Sequence, residues 1–118
     1  MHEMGLADAM MKTISRIVAE EGDVAVRSVT VEVGELSGVV PRFLADCWEA
    51  VTARTPYEGT ELVLHTVPGT IRCLDCGHDF VASVEDLRCP LCRSEKLKPL
   101  SGQDMTITEI EICDREEA

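Results

Sequence analysis

Aromatic and basic side chains are scarce in this sequence of 118 residues. It has one tryptophan, one tyrosine and two phenylalanines, and its 11 basic residues stand against 22 acidic ones, which gives a formal net charge of −11. A surface that binds nucleic acid concentrates lysine and arginine to neutralise phosphates, so this balance argues against DNA or RNA as a partner. Cations and basic protein surfaces are the partners that an acidic chain favours.

Long apolar runs are also missing. No stretch of about 18 apolar residues is present, and the first residues lack a basic segment followed by an apolar one. We therefore expect a cytoplasmic protein with no membrane partner. In that compartment the six cysteines are expected to serve as thiolates or metal ligands rather than to form disulfides.

Patterns that carry catalysis are absent as well. The sequence contains no nucleophile motif, no phosphate-binding loop and no zinc motif that leaves a coordination position open. A carboxylate such as Glu3 or Asp46 could act as a base only beside such an open metal. We expect a protein that is not an enzyme.

Two segments repeat apolar residues at steps of three and four, which predicts two helices. The first runs from Met4 to Glu21, and Gly22 is placed to end it. The second begins at Pro41, because proline suits the first position of a helix. Cys47 lies on the apolar face of this second helix, which predicts a buried side chain without chemistry.

Three segments are predicted strands. The first is VAVRSVTVEVGEL, where a change in the apolar alternation near Arg27 and Ser28 predicts a bulge or an early turn. The second is ELVLHTVPGTI and the third is MTITEIEIC. An insert lies between the second and the third, so we expect these two strands to pair as a long antiparallel hairpin with the insert at its tip.

The order of these elements predicts an α+β fold with two helices on a three-stranded sheet. The insert contains four of the six cysteines, from which we expect a zinc ribbon. The expected domains are residues 1–69 together with 101–118, and residues 70–100 for the insert. The pattern does not fix which strand lies in the middle of the sheet.

The insert contains Cys73, Cys76, Cys89 and Cys92, as two Cys-x-x-Cys pairs separated by twelve residues. Two such pairs can place four sulfurs about 2.3 Å from one metal ion, and Zn(II) is the usual occupant of a closed site of this kind. Iron or a redox function of the pairs are the alternatives. A closed zinc site is structural, and its metal affinity of roughly 10–16 kcal/mol would fold an insert that is too small to form its own core.

The first three residues, MHE, suit a different metal. The amine of Met1, the amide nitrogen of His2 and the Nδ1 atom of His2 can chelate one ion, and planar nitrogen ligands favour Ni(II) or Cu(II) over zinc. The fourth position would then go to another nitrogen, to Glu3 or to a partner protein. The alternative is that His2 is a solvated residue at a frayed helix start.

Taken together, the MHE start, the strand that ends in VGELSGV and the Cys-x2-Cys-x12-Cys-Pro-x-Cys insert resemble the HypA family of nickel metallochaperones. The resemblance extends over nearly the whole chain and implies transported Ni(II) at His2 with Glu3 beside it, and structural Zn(II) on Cys73, Cys76, Cys89 and Cys92. Met4 and Gly5 differ from the bulkier or polar residues expected there.

The resemblance also implies partners. They are the GTPase HypB and the large subunit of [NiFe]-hydrogenase, with urease maturation proteins in some organisms, and a homodimer is compatible with the sequence. The alternative function is a zinc-ribbon module for protein interaction, transcription or translation that carries no nickel.

Overall fold

The structure is a computed structural model that describes residues 2–115. This range contains helices α1 (His2–Val18) and α2 (Pro41–Thr52) and strands β1 (Val24–Gly34), β2 (Glu61–Val67), β3 (Thr70–Cys73), β4 (Asp79–Val81), β5 (Leu97–Pro99) and β6 (Met105–Asp114). The expected α+β class is confirmed. Neither helix has the length and apolar character required to cross a membrane.

Helix α1 buries one face along its whole length. The buried positions follow the expected steps of three and four residues and are Glu3, Ala7, Met10, Ile14 and Val18. A short 3-10 turn, Ala19–Glu21, follows the helix, and the chain then leaves the helical path at Gly22, whose φ is 86°. The predicted apolar face is confirmed at Ala7, Met10, Ile14 and Val18, whereas Ile17 is exposed. The α-helix ends at Val18, earlier than predicted, and the helical path as a whole ends at Gly22 after the 3-10 turn.

Helix α2 begins at Pro41, as predicted, and buries Leu44, Cys47, Trp48 and Thr52. The indole Nε1 of Trp48 donates a hydrogen bond to the carbonyl of Thr60 at 3.1 Å. The hydroxyl of Thr60 in turn donates to the carbonyl of Val26 in β1 at 2.8 Å. Buried polar groups are therefore satisfied along one path from α2 to β1, which fixes where the helix lies.

Strand β1 carries the most regular apolar pattern. Val29, Val31 and Val33 are all buried, and Val26 is buried three positions before Val29. The alternation therefore changes phase across Arg27 and Ser28, where the sequence predicts an irregularity.

The predicted hairpin of the strands that flank the insert is wrong. The sheet has the order β2-β1-β6, so β2 and β6 each border β1 and do not border each other. The physical reason lies in burial: β1 alternates fully buried valines, whereas β2 and β6 are mostly exposed or half-buried. The most apolar strand takes the central position, where both of its edges are paired.

The segment predicted as one strand, Glu61–Ile71, is two strands separated by Pro68 and Gly69. Proline has no amide hydrogen to donate to a sheet, so the pairing stops there. Strand β3 then begins a second sheet, in which it pairs antiparallel with both β4 and β5. Arg72 of β3 lies opposite Asp79 of β4, and its guanidinium binds that carboxylate at 2.8 and 3.0 Å.

The chain divides into two compact units. One comprises Met1–Val31, Val39–His65 and Ile107–Ala118, and the other comprises Glu32–Gly38 and Thr66–Thr106. The first contains α1 and α2, and the second contains β3, β4 and β5 with all four cysteines of the insert. This division reflects which residues pack together and does not show which segment folds independently. The predicted domain boundaries, with the zinc ribbon at residues 70–100, therefore stay a prediction.

Three glycines of the second unit bring main-chain segments into direct contact. The amide of Gly34 donates to the carbonyl of Asp104 at 2.9 Å, and the amide of Leu36 donates to the carbonyl of Gly102 at 2.8 Å. A Cβ atom on Gly34 would lie 2.1 Å from the carbonyl oxygen of Gly102, and one on Gly102 would lie 2.4 Å from the Cα of Gly69. No side chain fits between these segments.

We predict that Gly102→Ala strongly destabilises the protein. The φ of Gly102 is 84°, which alone costs an alanine about 1–2 kcal/mol, and its Cβ would also meet main-chain atoms that cannot rotate away. Urea unfolding measures the loss. The control is Gly5→Ala, because Gly5 lies in α1 with nothing within 4 Å of the added Cβ. This control should raise stability by about 0.5–1 kcal/mol, and equal effects of the two changes would refute the packing argument.

Candidate metal centre

The first cysteine pair forms a tight turn at the end of β3. The amide of Gly77 donates to the carbonyl of Cys73 at 2.9 Å, and the amide of Cys73 donates to the carbonyl of His78 at 2.9 Å. Gly77 has a φ of 78°, which glycine adopts without strain. The glycine that follows the first pair in the sequence thus allows the tight turn, and the turn directs both thiols of the pair toward the same cluster.

The second pair repeats this turn. The amide of Arg93 donates to the carbonyl of Cys89 at 2.9 Å, and the amide of Cys89 donates to the carbonyl of Ser94 at 3.0 Å. Arg93 occupies the position that corresponds to Gly77 and has a φ of 64°. A non-glycine residue in this region is uncommon and indicates that the surrounding turn requires it.

The two turns bring the four sulfurs together. Sγ of Cys73 lies 3.5 Å from that of Cys92, and Sγ of Cys76 lies 3.5 Å from that of Cys89. All four sulfurs lie within 4.8 Å of one another. A tetrahedral ion with metal–sulfur bonds of about 2.3 Å requires sulfurs separated by about 3.8 Å, so these residues fit such an ion.

The thiols of the cluster are electrostatically unequal. Amide hydrogen bonds, first that of Cys76 and then that of Asp75, lower the pKa of Cys73. Burial raises the pKa of Cys89, but the amides of Cys92 and Leu91 outweigh it and lower the pKa to about 6. The lowered pKa values favour the thiolate form of the first cysteine in each pair.

The second thiol of each pair behaves in the opposite way. The Ser94 amide lowers the pKa of Cys92, but its thiol neighbours and burial raise that pKa to about 12. The His78 amide lowers the pKa of Cys76, but the thiol of Cys89, burial and the thiol of Cys73 together raise it. Thiolates this close repel one another, and a cation among them removes that repulsion. The donor set therefore suits a divalent metal, and four sulfurs leave no position for a substrate.

The remaining cysteines and His78 stay outside this cluster. Cys47 is buried in α2, and Cys113 is half-buried in β6. The His78 ring stacks on Phe80 with centroids 6.0 Å apart, while its main chain supports the first turn.

The other predicted metal ligands lie at the start of α1. Met1 lies outside the described residues. The side chain of His2 is 61% exposed, and its Nδ1 lies 3.9 Å from Oε2 of Glu3. Glu3 is buried, and the same Oε2 accepts a hydrogen bond from the amide of Val40 at 3.2 Å. This hydrogen bond is the largest of the effects that lower the pKa of Glu3.

Among residues 2–115, only the cysteine cluster gathers three or more ligating side chains at metal distance. His2 and Glu3 therefore have no third histidine, cysteine, aspartate or glutamate side chain at metal distance in this range. The chelate through main-chain nitrogens that the sequence suggests stays a prediction, because it includes the amine of Met1. The first amides of a helix have no helical acceptor, so the nitrogen of His2 is not committed to the hydrogen bonds of α1.

Sequence reasoning missed two features of these sites. It did not identify Arg93 as the counterpart of Gly77, although an alignment of the two cysteine pairs places them opposite each other. It also did not identify Val40, whose amide binds Glu3 across 37 positions of sequence. No local pattern carries that contact.

Comparison with known proteins gives consistent matches along the chain. The family model described as hydrogenase/urease nickel incorporation, metallochaperone, hypA matches residues 1–112. The hydrogenase maturation factor HypA of Streptomyces avermitilis is 41% identical over 112 residues, which cover 93% of this chain and 86% of that protein. That of Desulfosudis oleivorans is 35% identical over 113 residues, with 95% and 98% covered.

A solved structure shares the fold. The solution structure of the Ni metallochaperone HypA from Helicobacter pylori matches with a TM-score of 0.66 at 17% identity, over 96% of this chain and 98% of that chain. At this identity the match supports the architecture of the chain, including its α+β class.

We predict that Cys73→Ser prevents the chain from binding a metal in tetrahedral thiolate geometry, because one of the four donors is lost. Titration with Co(II), monitored through its sulfur-to-metal absorption, measures the site. Cys113→Ser is the matched control, since Cys113 lies outside the cluster, and it should bind like the unmodified chain. If both variants lost the metal equally, the assignment of the cluster would be wrong.

Proposed function

The chain belongs to the HypA family of nickel metallochaperones, and from this premise we propose that it carries Ni(II) for the maturation of [NiFe]-hydrogenase. The match of the family model to residues 1–112 carries this proposal, because it includes both the His2 region and all four clustered cysteines. On this reading the chain acts by binding and transfer, not by catalysis. Its proposed location is the cytoplasm.

The proposed nickel ligands are the amine of Met1, the amide nitrogen of His2 and the Nδ1 atom of His2. The exposed imidazole and the uncommitted first amides of α1 support this choice. A helix start carries partial positive charge, which disfavours a cation. The carboxylate of Glu3, whose Oε2 lies 3.9 Å from Nδ1, and the ionised amide would offset that charge.

The proposed function of Glu3 is to orient the site. Its carboxylate oxygen Oε2 accepts the amide hydrogen of Val40, the residue that precedes α2. Since that oxygen is turned inward, Glu3 would contribute to nickel through its main chain or by positioning His2. The proposed coordination is square planar, which Ni(II) accepts with nitrogen ligands.

The proposed occupant of the four-cysteine centre is Zn(II). Zinc accepts four thiolates without redox chemistry, and its tetrahedral preference agrees with the sulfur separations. Its function there is to hold the two cysteine turns together. Cys73, Cys76, Cys89 and Cys92 would bind it, and no position would be left for exchange with the transported nickel.

This arrangement separates the two metals by ligand type. A site of three nitrogens that leaves its fourth position open can exchange a ligand with an acceptor, whereas a closed thiolate site holds its ion. The proposed partners are the GTPase HypB and the large subunit of [NiFe]-hydrogenase. Urease is a second candidate client, because the matching family description names it beside hydrogenase.

We predict that His2→Ala weakens Ni(II) binding by at least about tenfold, which corresponds to the loss of one ligand worth about 1.4 kcal/mol or more. Isothermal titration of the untagged, zinc-loaded chain measures it. His65→Ala is the control, because His65 is an exposed histidine of β2 and should leave the affinity unchanged. A residue fused ahead of Met1 should also weaken binding, since it removes the amine. Nickel binding that survives both changes would exclude this site.

We further predict that the chain purifies with one zinc ion, measured by elemental analysis, and keeps it during the nickel titration. The closed thiolate shell should retain zinc because a thiolate that dissociates is held beside the ion by the other three and rebinds before they leave. Iron as the main metal, or displacement of zinc by stoichiometric Ni(II), would contradict the proposed division between the two sites.

A further inference from the structure

The segment of residues 70–100 differs in charge from the remainder of the chain. It contains five acidic and five basic residues, so the net charge of −11 is carried entirely by the other residues. An acidic partner would be repelled by those residues at distances up to a Debye length of about 8–10 Å. Residues 70–100 are the part of the chain that can accept such a partner.

The same segment exposes apolar side chains. Of the 11 large hydrophobic residues that are exposed in the described range, six lie within residues 70–100, namely Leu74, Val81, Val84, Leu87, Leu91 and Leu100. Single exposed apolar residues need no explanation, but such a concentration in about a quarter of the chain is typical of an interaction surface.

A groove of about 310 Å³ lies in this segment. Its apolar lining comes from Phe80 and Val81 of β4 and from Pro90 of the second cysteine turn. We call it the β4 groove. One wall belongs to a strand and the other to the second cysteine turn, so the shape of the groove depends on where that turn lies.

Two arginines and one aspartate line the rim of the β4 groove, and a glutamate outside the lining pairs with one of the arginines. Arg88, Arg93 and Asp86 line the rim. The guanidinium of Arg93 binds Asp86 at 3.1 Å through one terminal nitrogen. Arg88 lies 3.4 Å from a carboxylate oxygen of Glu95. All four of these side chains are at least half exposed, and exposed ion pairs of this kind exchange partners at little cost.

We propose that the β4 groove binds an extended segment of a client protein in which apolar side chains alternate with carboxylates. The apolar side chains would lie against Phe80, Val81 and Pro90, and the carboxylates would bind the guanidiniums of Arg88 and Arg93, which suit carboxylate geometry. This inference rests on the proposed function, because a carrier of nickel must bind the protein that receives the ion. It adds a docking site that is separate from the residues proposed to bind nickel.

The test uses the full zinc-loaded chain and labelled peptides of about eight residues, the length of an extended recognition segment. One peptide alternates leucine with glutamate, a second alternates leucine with lysine, and a third alternates serine with glutamate. Fluorescence anisotropy should show binding of the leucine–glutamate peptide, and clearly weaker binding of the other two because each lacks one of the two required contacts.

Two variants address the groove itself. Val81→Ser removes an apolar contact and Arg88→Glu reverses a rim charge, and both side chains are largely exposed, so the fold should tolerate them. Each should weaken the leucine–glutamate peptide by about fivefold or more. The matched controls are Ile17→Ser and Arg16→Glu, which make the same chemical changes at exposed positions of α1 and should leave binding unchanged.

Other outcomes would overturn the proposal. They are equal binding of the leucine–lysine peptide, peptide binding that the controls weaken as much as the groove variants, and absence of binding. Binding of single-stranded DNA or anionic lipid vesicles that is lost in Arg88→Glu, or self-association lost in Val81→Ser without peptide binding, would assign the groove to another occupant. Nickel titration of Val81→Ser distinguishes this proposal from the proposed function. Peptide binding can be absent while Ni(II) binding persists, and Ni(II) binding can be absent while the peptide still binds.

Discussion

The main-chain hydrogen bonds of the two cysteine turns are the constraint on which the metal centre depends. In each turn the first cysteine amide donates to a carbonyl five positions later, and its own carbonyl accepts an amide four positions later. These bonds fix the direction of both thiols before any metal is considered. Other amides within the same turns, those of Asp75 and Cys76 and those of Leu91 and Cys92, lower the pKa values of Cys73 and Cys89. The backbone thus orients the thiols and favours the thiolate form of two of them, and the four sulfurs supply the bonds to the metal.

The closed thiolate centre and the proposed nickel site differ in how their ligands are held. The cysteines are separated by no more than 19 residues, and short turns orient all of them. At the start of α1, by contrast, a buried carboxylate is oriented by an amide 37 residues away, while the imidazole beside it stays exposed. A site whose ligands are all held in place suits an ion that remains bound. A site with an exposed imidazole beside one fixed carboxylate suits an ion that is transferred.

The distribution of charge extends this division to the surface. The acidic residues outside 70–100 suit the attraction of cations and of basic proteins, whereas the neutral segment with its exposed leucines and valines suits contact with a protein chain. A carrier must meet both its cargo and its recipient. The β4 groove is lined in part by Pro90 of the second cysteine turn, so a metal ion bound by the four cysteines would also maintain the surface that we propose for the recipient.

The sequence by itself determined the features that depend on near neighbours. The helical periodicity of α1 and α2, the stop at Gly22, the start at Pro41 and the positive φ of Gly77 follow from steric preferences within a few residues. The cysteine spacing likewise identified the metal cluster before any coordinates, since two residues between thiolates are enough to form a turn. Tertiary structure alone decided the central position of β1, the separation of β2 from β6 and the contact of Glu3 with Val40. These features depend on which segments pair across long stretches of chain, and that choice follows from the burial of the whole fold, which no local pattern encodes.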